Sequence, residues 1–318
     1  MSDAAVRRLA VTLGDPRGIG PEVAVAAARR LGAEADAPAL LFIGPHGVVG
    51  DESIEMHAVG HWRPGGSAAL AGRLAGDAIV AAVDMVRRGR AHAIVTAPID
   101  KAALHEGGFD FPGHTEMLAH LAGDVDVAML MAAESTALGG PLRVVLATTH
   151  LALRDVPRAL DQALLVRQTE ITYFALQQQW SIREPRIALC AFNPHASDHG
   201  RFGDEEERIY APALAQLTAH GIRAHGPIPA DTVFVRALRG EFDAVVAPYH
   251  DVGMAAFKTA SFGKGVNVTL GLPFVRTSPD HGTALDIAGR GIADASSMVA
   301  AIRLADRLAA ARTNEVAP

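Results

Sequence analysis

The sequence predicts an α/β fold: two lobes of layered, mostly parallel sheet with helices on both faces. Three observations carry this expectation. Short apolar runs alternate with longer helix-periodic stretches almost throughout the chain, the pattern of a parallel sheet with helical crossovers. The Gly- and Pro-rich breaks fall at the ends of those runs, not between two blocks, so the lobes are woven from one chain. At 318 residues, 49% of them hydrophobic and 31 of them glycine, the chain has material for two lobes with sizeable cores.

The elements follow in order. Leu9–Gly14 reads as a strand, and a helix opens at Pro21, whose fixed φ suits a first helical turn. Ala39–Gly44 is the next strand, and residues 68–88 form a long helix closed by Gly89, a residue suited to the left-handed position after a helix. His92–Pro98, Val127–Ala133 and Arg143–Thr149 are further strands. A helix is expected from about Val156 to Gln179, with Asp155 as its N-cap and Pro157 in its first turn. Ile187–Phe192 (strand), 204–219 (helix), Asp243–Pro248 and Gly265–Leu270 (strands) and 295–311 (helix) complete the order, with a frayed TNEVAP tail. The expected lobes are 1–114 with 276–318, and 115–275, with a cleft between them.

Composition removes several function classes. A net charge of −6, 5% aromatics and no basic run argue against nucleic acid as a partner. The single cysteine, Cys190, excludes an intramolecular disulfide and a multi-thiolate zinc site, and its apolar context suits a core thiol. The start lacks the apolar stretch of a signal peptide and no run approaches a membrane span, so a cytoplasmic protein is expected.

Three of the 14 histidines share one context: an apolar run, then His, then Gly, Pro or Asp punctuation. They are His150 (LATTHLALRD), His195 (AFNPHASDHG) and His250 (APYHDVG). In an open α/β sheet the carboxyl ends of parallel strands line the ligand crevice, so these imidazoles are candidates to share one divalent metal. Taken singly, each is an ordinary structural histidine. GDPRGIGPEV (14–23) brings glycines to a helix start, either as an anion-facing approach or as a tight structural turn. TAPIDKAAL reads as a strand end followed by a helix carrying Lys101. In FPGHTEMLA, His114 and Thr115 at a helix start suit a phosphate or carboxylate clamp, with Thr115 as a plain N-cap the alternative. Asp231 lies beyond two prolines in GPIPADT, either a positioned carboxylate on a rigid loop or an N-cap. Lys258, Asn267 and Arg276 together suit an anionic substrate. The acids from Asp204 to Glu207 are explained by the dipole of the helix they open.

Taken in order, GDPRGIGPEV, TAPIDK, PGHTE, TTHLALRDV, NPHASDHGRFG, GPIPADT, YHDVGM and GVNVTLGLPFVRTSPDHGTALDIAG closely resemble the 4-hydroxythreonine-4-phosphate dehydrogenase family of pyridoxal phosphate biosynthesis. The opening and HGTALDIAG are also similar to the isocitrate and isopropylmalate dehydrogenases. The resemblance implies that fold and an NAD (or NADP) site without the GxGxxG fingerprint. It implies a metal triad of His150, His195 and His250 and substrate contacts from His114, Thr115, Lys258, Asn267 and Arg276. His281, Gly282, Thr283 and Asp286 would hold the adenine side of the cofactor. It further implies a divalent metal, zinc before Mg²⁺, Mn²⁺ or Co²⁺, and a homodimer with the site at its interface. The implied reaction oxidises C3 of a phosphorylated hydroxy acid, with Asp231 or Lys101 as base, and the product loses CO₂. Val252, where many members carry Gln, Met254–Ala256 and a shortened Gly44–Gly66 stretch depart from the family pattern. The alternatives are a related acid phosphate (threonate or erythronate 4-phosphate), a terephthalate-type dihydrodiol, or a non-redox phosphate-binding protein or acyltransferase. The intact PGHTE clamp argues against the dihydrodiol, and the three-histidine set against the non-redox readings.

Overall fold

A computed structural model describes residues 7–34, 36–51 and 53–316. The first six residues and the last two, parts of the expected leaderless start and frayed tail, lie outside the described residues. The elements are β1 (Arg8–Thr12), α1 (Gly20–Leu31), β2 (Ala39–His46), β3 (Met56–His61), α2 (Ala68–Arg87), β4 (Ala93–Thr96), α3 (Lys101–Glu106) and α4 (His114–Leu121). Then come β5 (Ala128–Ala133), β6 (Leu142–Leu146), α5 (Val156–Ala159), α6 (Gln162–Trp180), β7 (Ile187–Cys190), α7 (Ala211–Ala219) and β8 (Ala224–Ile228). The chain ends with α8 (Ala230–Leu238), β9 (Ala244–Ala247), α9 (His250–Ser261), β10 (Val266–Leu270), β11 (Val275–Pro279) and α10 (Ser296–Val316).

The chain divides into two compact units, Met1–Asp126 with Leu272–Pro318, and Val127–Gly271. In the first, strands run in the order β3-β2-β1-β4-β11, and every pair is parallel. In the second the order is β10-β5-β6-β9-β7-β8; β5 is antiparallel to both neighbours and the pairs from β6 onward are parallel. β4, β7 and β9 are buried at every position, as parallel strands covered on both faces must be. The mostly parallel α/β architecture expected from the alternating pattern is therefore present.

Local differences have physical causes. The helix expected over Val156–Gln179 breaks at Leu160, which is extended (φ −82°, ψ 115°), and α6 restarts with Asp161 as its N-cap. The Asp161 carboxylate accepts from Leu164 N at 2.7 Å, whereas Asp155 makes no side-chain cap. The expected 204–219 helix opens with a π turn over Glu206–Tyr210 before α7. GPIPADT is no loop at Asp231, because α8 begins at Ala230; its N-cap is Pro229, so Asp231 is not the cap either. The final helix runs on to Val316, through part of the stretch expected to fray. GDPRGIGPEV is a tight turn: Gly14 has φ +70°, and a Cβ there would strike the Pro98 carbonyl oxygen.

Candidate active site

In the second unit β9 pairs in parallel with both β6 and β7, so three neighbouring strands end at one edge. His150, His250 and His195 follow the carboxyl ends of β6, β9 and β7 respectively. The rings of His150 and His250 have centroids 5.5 Å apart, tilted by 42°. Two imidazoles bound at ~2.1 Å to one tetrahedral ion have ring centres about 5 Å apart, so this pair fits a shared small cation. His250 Nδ1 lies 2.8 Å from the Asp251 carboxylate. A carboxylate only accepts, so Nδ1 carries the hydrogen and Nε2 is the ring nitrogen left to face an ion.

His195 stands apart from that pair. Its ring packs near Phe202, centroids 6.5 Å apart, and the residue is exposed. Among the described residues no group of three or more His, Cys, Asp or Glu gathers closely enough to hold a metal ion. The backbone at His195 is unusual: His195, Ala196, Ser197, Asp198 and His199 all have positive φ, between 44° and 62°. Left-handed backbone costs a non-glycine residue about 1 kcal/mol, so five in a row need support from their surroundings.

That support comes from residues read in the sequence as dipole acids. The Glu206 carboxylate, 6% exposed, accepts from Asn193 N at 2.7 Å and from Asn193 Nδ2 at 2.9 Å. The Glu205 carboxylate accepts from the same Nδ2 at 2.7 Å. The π turn also carries Tyr210, whose hydroxyl donates to the Cys190 carbonyl at 2.9 Å, just where β7 ends. Glu205 and Glu206, acids the helix dipole favours at this helix start, thus have a further structural part: they clamp the start of the His195 loop.

In the first unit Lys101, His114 and Arg276 come together. Arg276, on β11, is 2% exposed and donates from Nη2 to Thr96 Oγ1, at the end of β4, at 2.7 Å. Burial pulls its pKa down to about 10, with Glu116 working against the shift, so it stays charged at neutral pH. His114 opens α4; the residue keeps some exposure, but its Nε2 is sealed from solvent and has no hydrogen-bond partner. Burial, then the charges of Arg276 and Lys101, hold the imidazole well below its usual pKa and therefore neutral. The α4 N-cap is Gly113, which has no side chain to cap with, so Thr115 is not the cap. A Cβ placed on Gly113 would lie 4.0 Å from Lys101 Nζ. Two cations, an imidazole and an uncapped helix start converge on one patch, an arrangement suited to an anion.

The profile of the family described as pyridoxal phosphate biosynthetic protein PdxA matches residues 21–305. The chain belongs to the PdxA family. Among its relatives, the 4-hydroxythreonine-4-phosphate dehydrogenase of Paracoccus denitrificans (strain Pd 1222) is 43% identical over 326 residues, 96% of this chain and 99% of that one. The crystal structure of 4-hydroxythreonine-4-phosphate dehydrogenase from Klebsiella pneumoniae superposes with a TM-score of 0.85 at 38% identity, covering 97% of this chain and 99% of that one. A beta-decarboxylating dehydrogenase from Thermococcus kodakarensis, 18% identical with a TM-score of 0.53 over 98% of this chain and 89% of its own, shares the fold. The PdxA chain is accordingly an enzyme, a dehydrogenase.

The other expected site residues of this PdxA chain are more scattered. Lys258 is exposed on α9, and Asn267 on β10 is half-buried, its Oδ1 sealed without a hydrogen bond. Asp231 is exposed in the first turn of α8. His281, Gly282, Thr283 and Asp286 lie on an irregular segment after β11, whose Thr283 carbonyl accepts from Ile19 N at 2.9 Å. The same segment is tied to α1 by Glu22, which accepts from Gly289 N at 3.1 Å and Ala293 N at 3.3 Å. A cavity of about 1070 Å³ borders it, lined by Arg17, Glu22, Trp62 and Gly289 among others, but by none of the four residues expected to hold the adenine. No helix among the described residues is long and apolar enough to cross a membrane.

Proposed function

We propose that this PdxA-family dehydrogenase oxidises 4-phosphooxy-L-threonine at C3 with NAD (or NADP) to 2-amino-3-oxo-4-phosphooxybutanoate, which then loses CO₂. The single observation that carries the chemistry is the His150–His250 pair, spaced for one small cation at the ends of adjacent parallel strands. Family membership and that donor set point to a divalent ion, zinc first, held by His150, His250 and His195; it would supply Lewis-acid polarisation of the C3 oxygen. Arg276, His114, Thr115 and Lys101 are suited to the phosphate or carboxylate, with Lys258 and Asn267 as further contacts. The neutral His114 can donate one hydrogen bond and accept another without adding charge. The nicotinamide would take the C3 hydrogen as hydride, and Asp231, or Lys101 in its uncharged form, would take the hydroxyl proton. The 281–286 segment would hold the adenine side of the cofactor. The fitting assembly is a cytoplasmic homodimer, and the exposed Leu151, Leu153 and Phe202 that follow His150 and His195 in sequence are apolar surface for it.

The test is NADH absorbance with a panel of substrates: 4-phosphooxy-L-threonine, its analogues lacking the amino group or the phosphate, and threonate and erythronate 4-phosphates. Reduction of NAD by the first, lost after thorough metal depletion and restored by Zn²⁺ or Co²⁺, is the expected outcome. Full activity without metal would overturn the metal role. Selective oxidation of a threonate or erythronate phosphate would move the substrate within the same chemistry.

A further inference from the structure

We infer that Asn193 and Glu206 are positioning residues for His195, and that the left-handed turn they lock trades fold stability for a preset backbone under that imidazole. The inference rests on the metal reading of His150, His195 and His250. Five consecutive non-glycine residues with positive φ are not a conformation the chain adopts by local preference. They persist here because the turn is tied at its start. Asn193 gives its backbone N–H and side-chain amide to Glu206, and Glu205 takes a second bond from that amide. Inside the turn, Gly200 N and Phe202 N both donate to the Ser197 carbonyl, at 3.0 and 3.1 Å. Ser197 is buried, so the turn closes inward while His195 stays exposed at the edge.

The clamp holds the backbone that sets the direction of the His195 Cα–Cβ bond, while the ring itself lies near Phe202. A right-handed or extended backbone at the same residues would aim that bond elsewhere. Only a carboxylate at position 206 makes this clamp, because its two oxygens accept two N–H groups of one residue; an amide in its place offers one acceptor oxygen and a donor. The π turn that presents Glu206 is a rare helical form, frequent at functional sites.

Stored strain has a signature that a purely structural clamp lacks. Ala196→Gly removes the Cβ from a left-handed residue and so relieves strain, yet lets the loop sample other conformations. The apo-protein melting temperature should rise by about 2 °C, while the affinity for Co²⁺ alone, measured by calorimetry and by its d–d absorbance, should fall on the order of tenfold. Glu206→Gln should also weaken Co²⁺ binding, and here the melting temperature should drop. If the two quantities move together in Ala196→Gly, or Co²⁺ binding is unchanged in it, the inference is wrong. His150→Ala and His250→Ala form a separate arm: both should lose Co²⁺ whatever the loop does. If the parent protein binds no Co²⁺, or these two variants retain it, the metal reading itself fails and the inference falls with it.

Discussion

His114 shows what position does to a single side chain. In water an imidazole titrates near neutrality, but here burial and the charges of Arg276 and Lys101 oppose protonation. The folded pKa lies below the unfolded one. Between those two values the unfolded chain takes up a proton that the folded chain refuses, so stability falls as pH drops through that window. Urea unfolding between pH 7.5 and 5 should show this loss, and His114→Asn should flatten the profile; equal slopes for parent and variant would mean that the ring is not sealed. At this scale the sequence was informative wherever a residue type is tied to a chemistry. His150, His195 and His250 stood out because an apolar strand ending in His and then a turn is uncommon by chance. Asn193 and Glu206 did not, because an acid after a glycine at a helix start is already explained by the helix dipole. Thr96, at the end of its strand, gave no signal that it would receive the Arg276 guanidinium.

Helices and strands place these groups, and close packing fixes the helices. α2 crosses α3 at Gly72, where a Cβ would overlap the Ala103 carbonyl, and α3 begins with Lys101. Gly72→Ala must push the two helices apart. It should lower the unfolding free energy by about 2–3 kcal/mol, read from urea titration, and weaken binding of inorganic phosphate by displacing Lys101. An unchanged stability would mean that the helices part without cost. Element existence was legible from periodicity: β1, β2, β4, β5, β6, β7, β9 and β10 all overlap runs that read as strands. Boundaries were less so. Asp155 and Asp161 are equally good caps on paper, and only the backbone at Leu160 decides between them. Asp231 followed two prolines, which read as loop, yet proline is also a good residue just before or within a first helical turn.

At the scale of the whole molecule, the strand order brings His150 and His250 together and ends the strand before His195 at the same edge. β6, β9 and β7 are neighbours in the sheet although β9 follows β7 by more than fifty residues in the chain. The homodimer proposed above predicts a sedimenting mass of about 66 kDa, twice the 33.2 kDa of one chain. A monomer at micromolar concentration would remove the shared-interface part of the proposal while leaving the histidine pair in place.

The sequence alone determined the alternation of strand and helix and the family, and it singled out three histidines, because hydrophobic periodicity and ordered motifs are local properties of the chain. It could not determine which histidines face each other, that His114 is neutral, or that Asn193 meets Glu206. Those depend on distances between residues far apart in the chain, and on how much water packing leaves around each group. Only the tertiary structure fixes either.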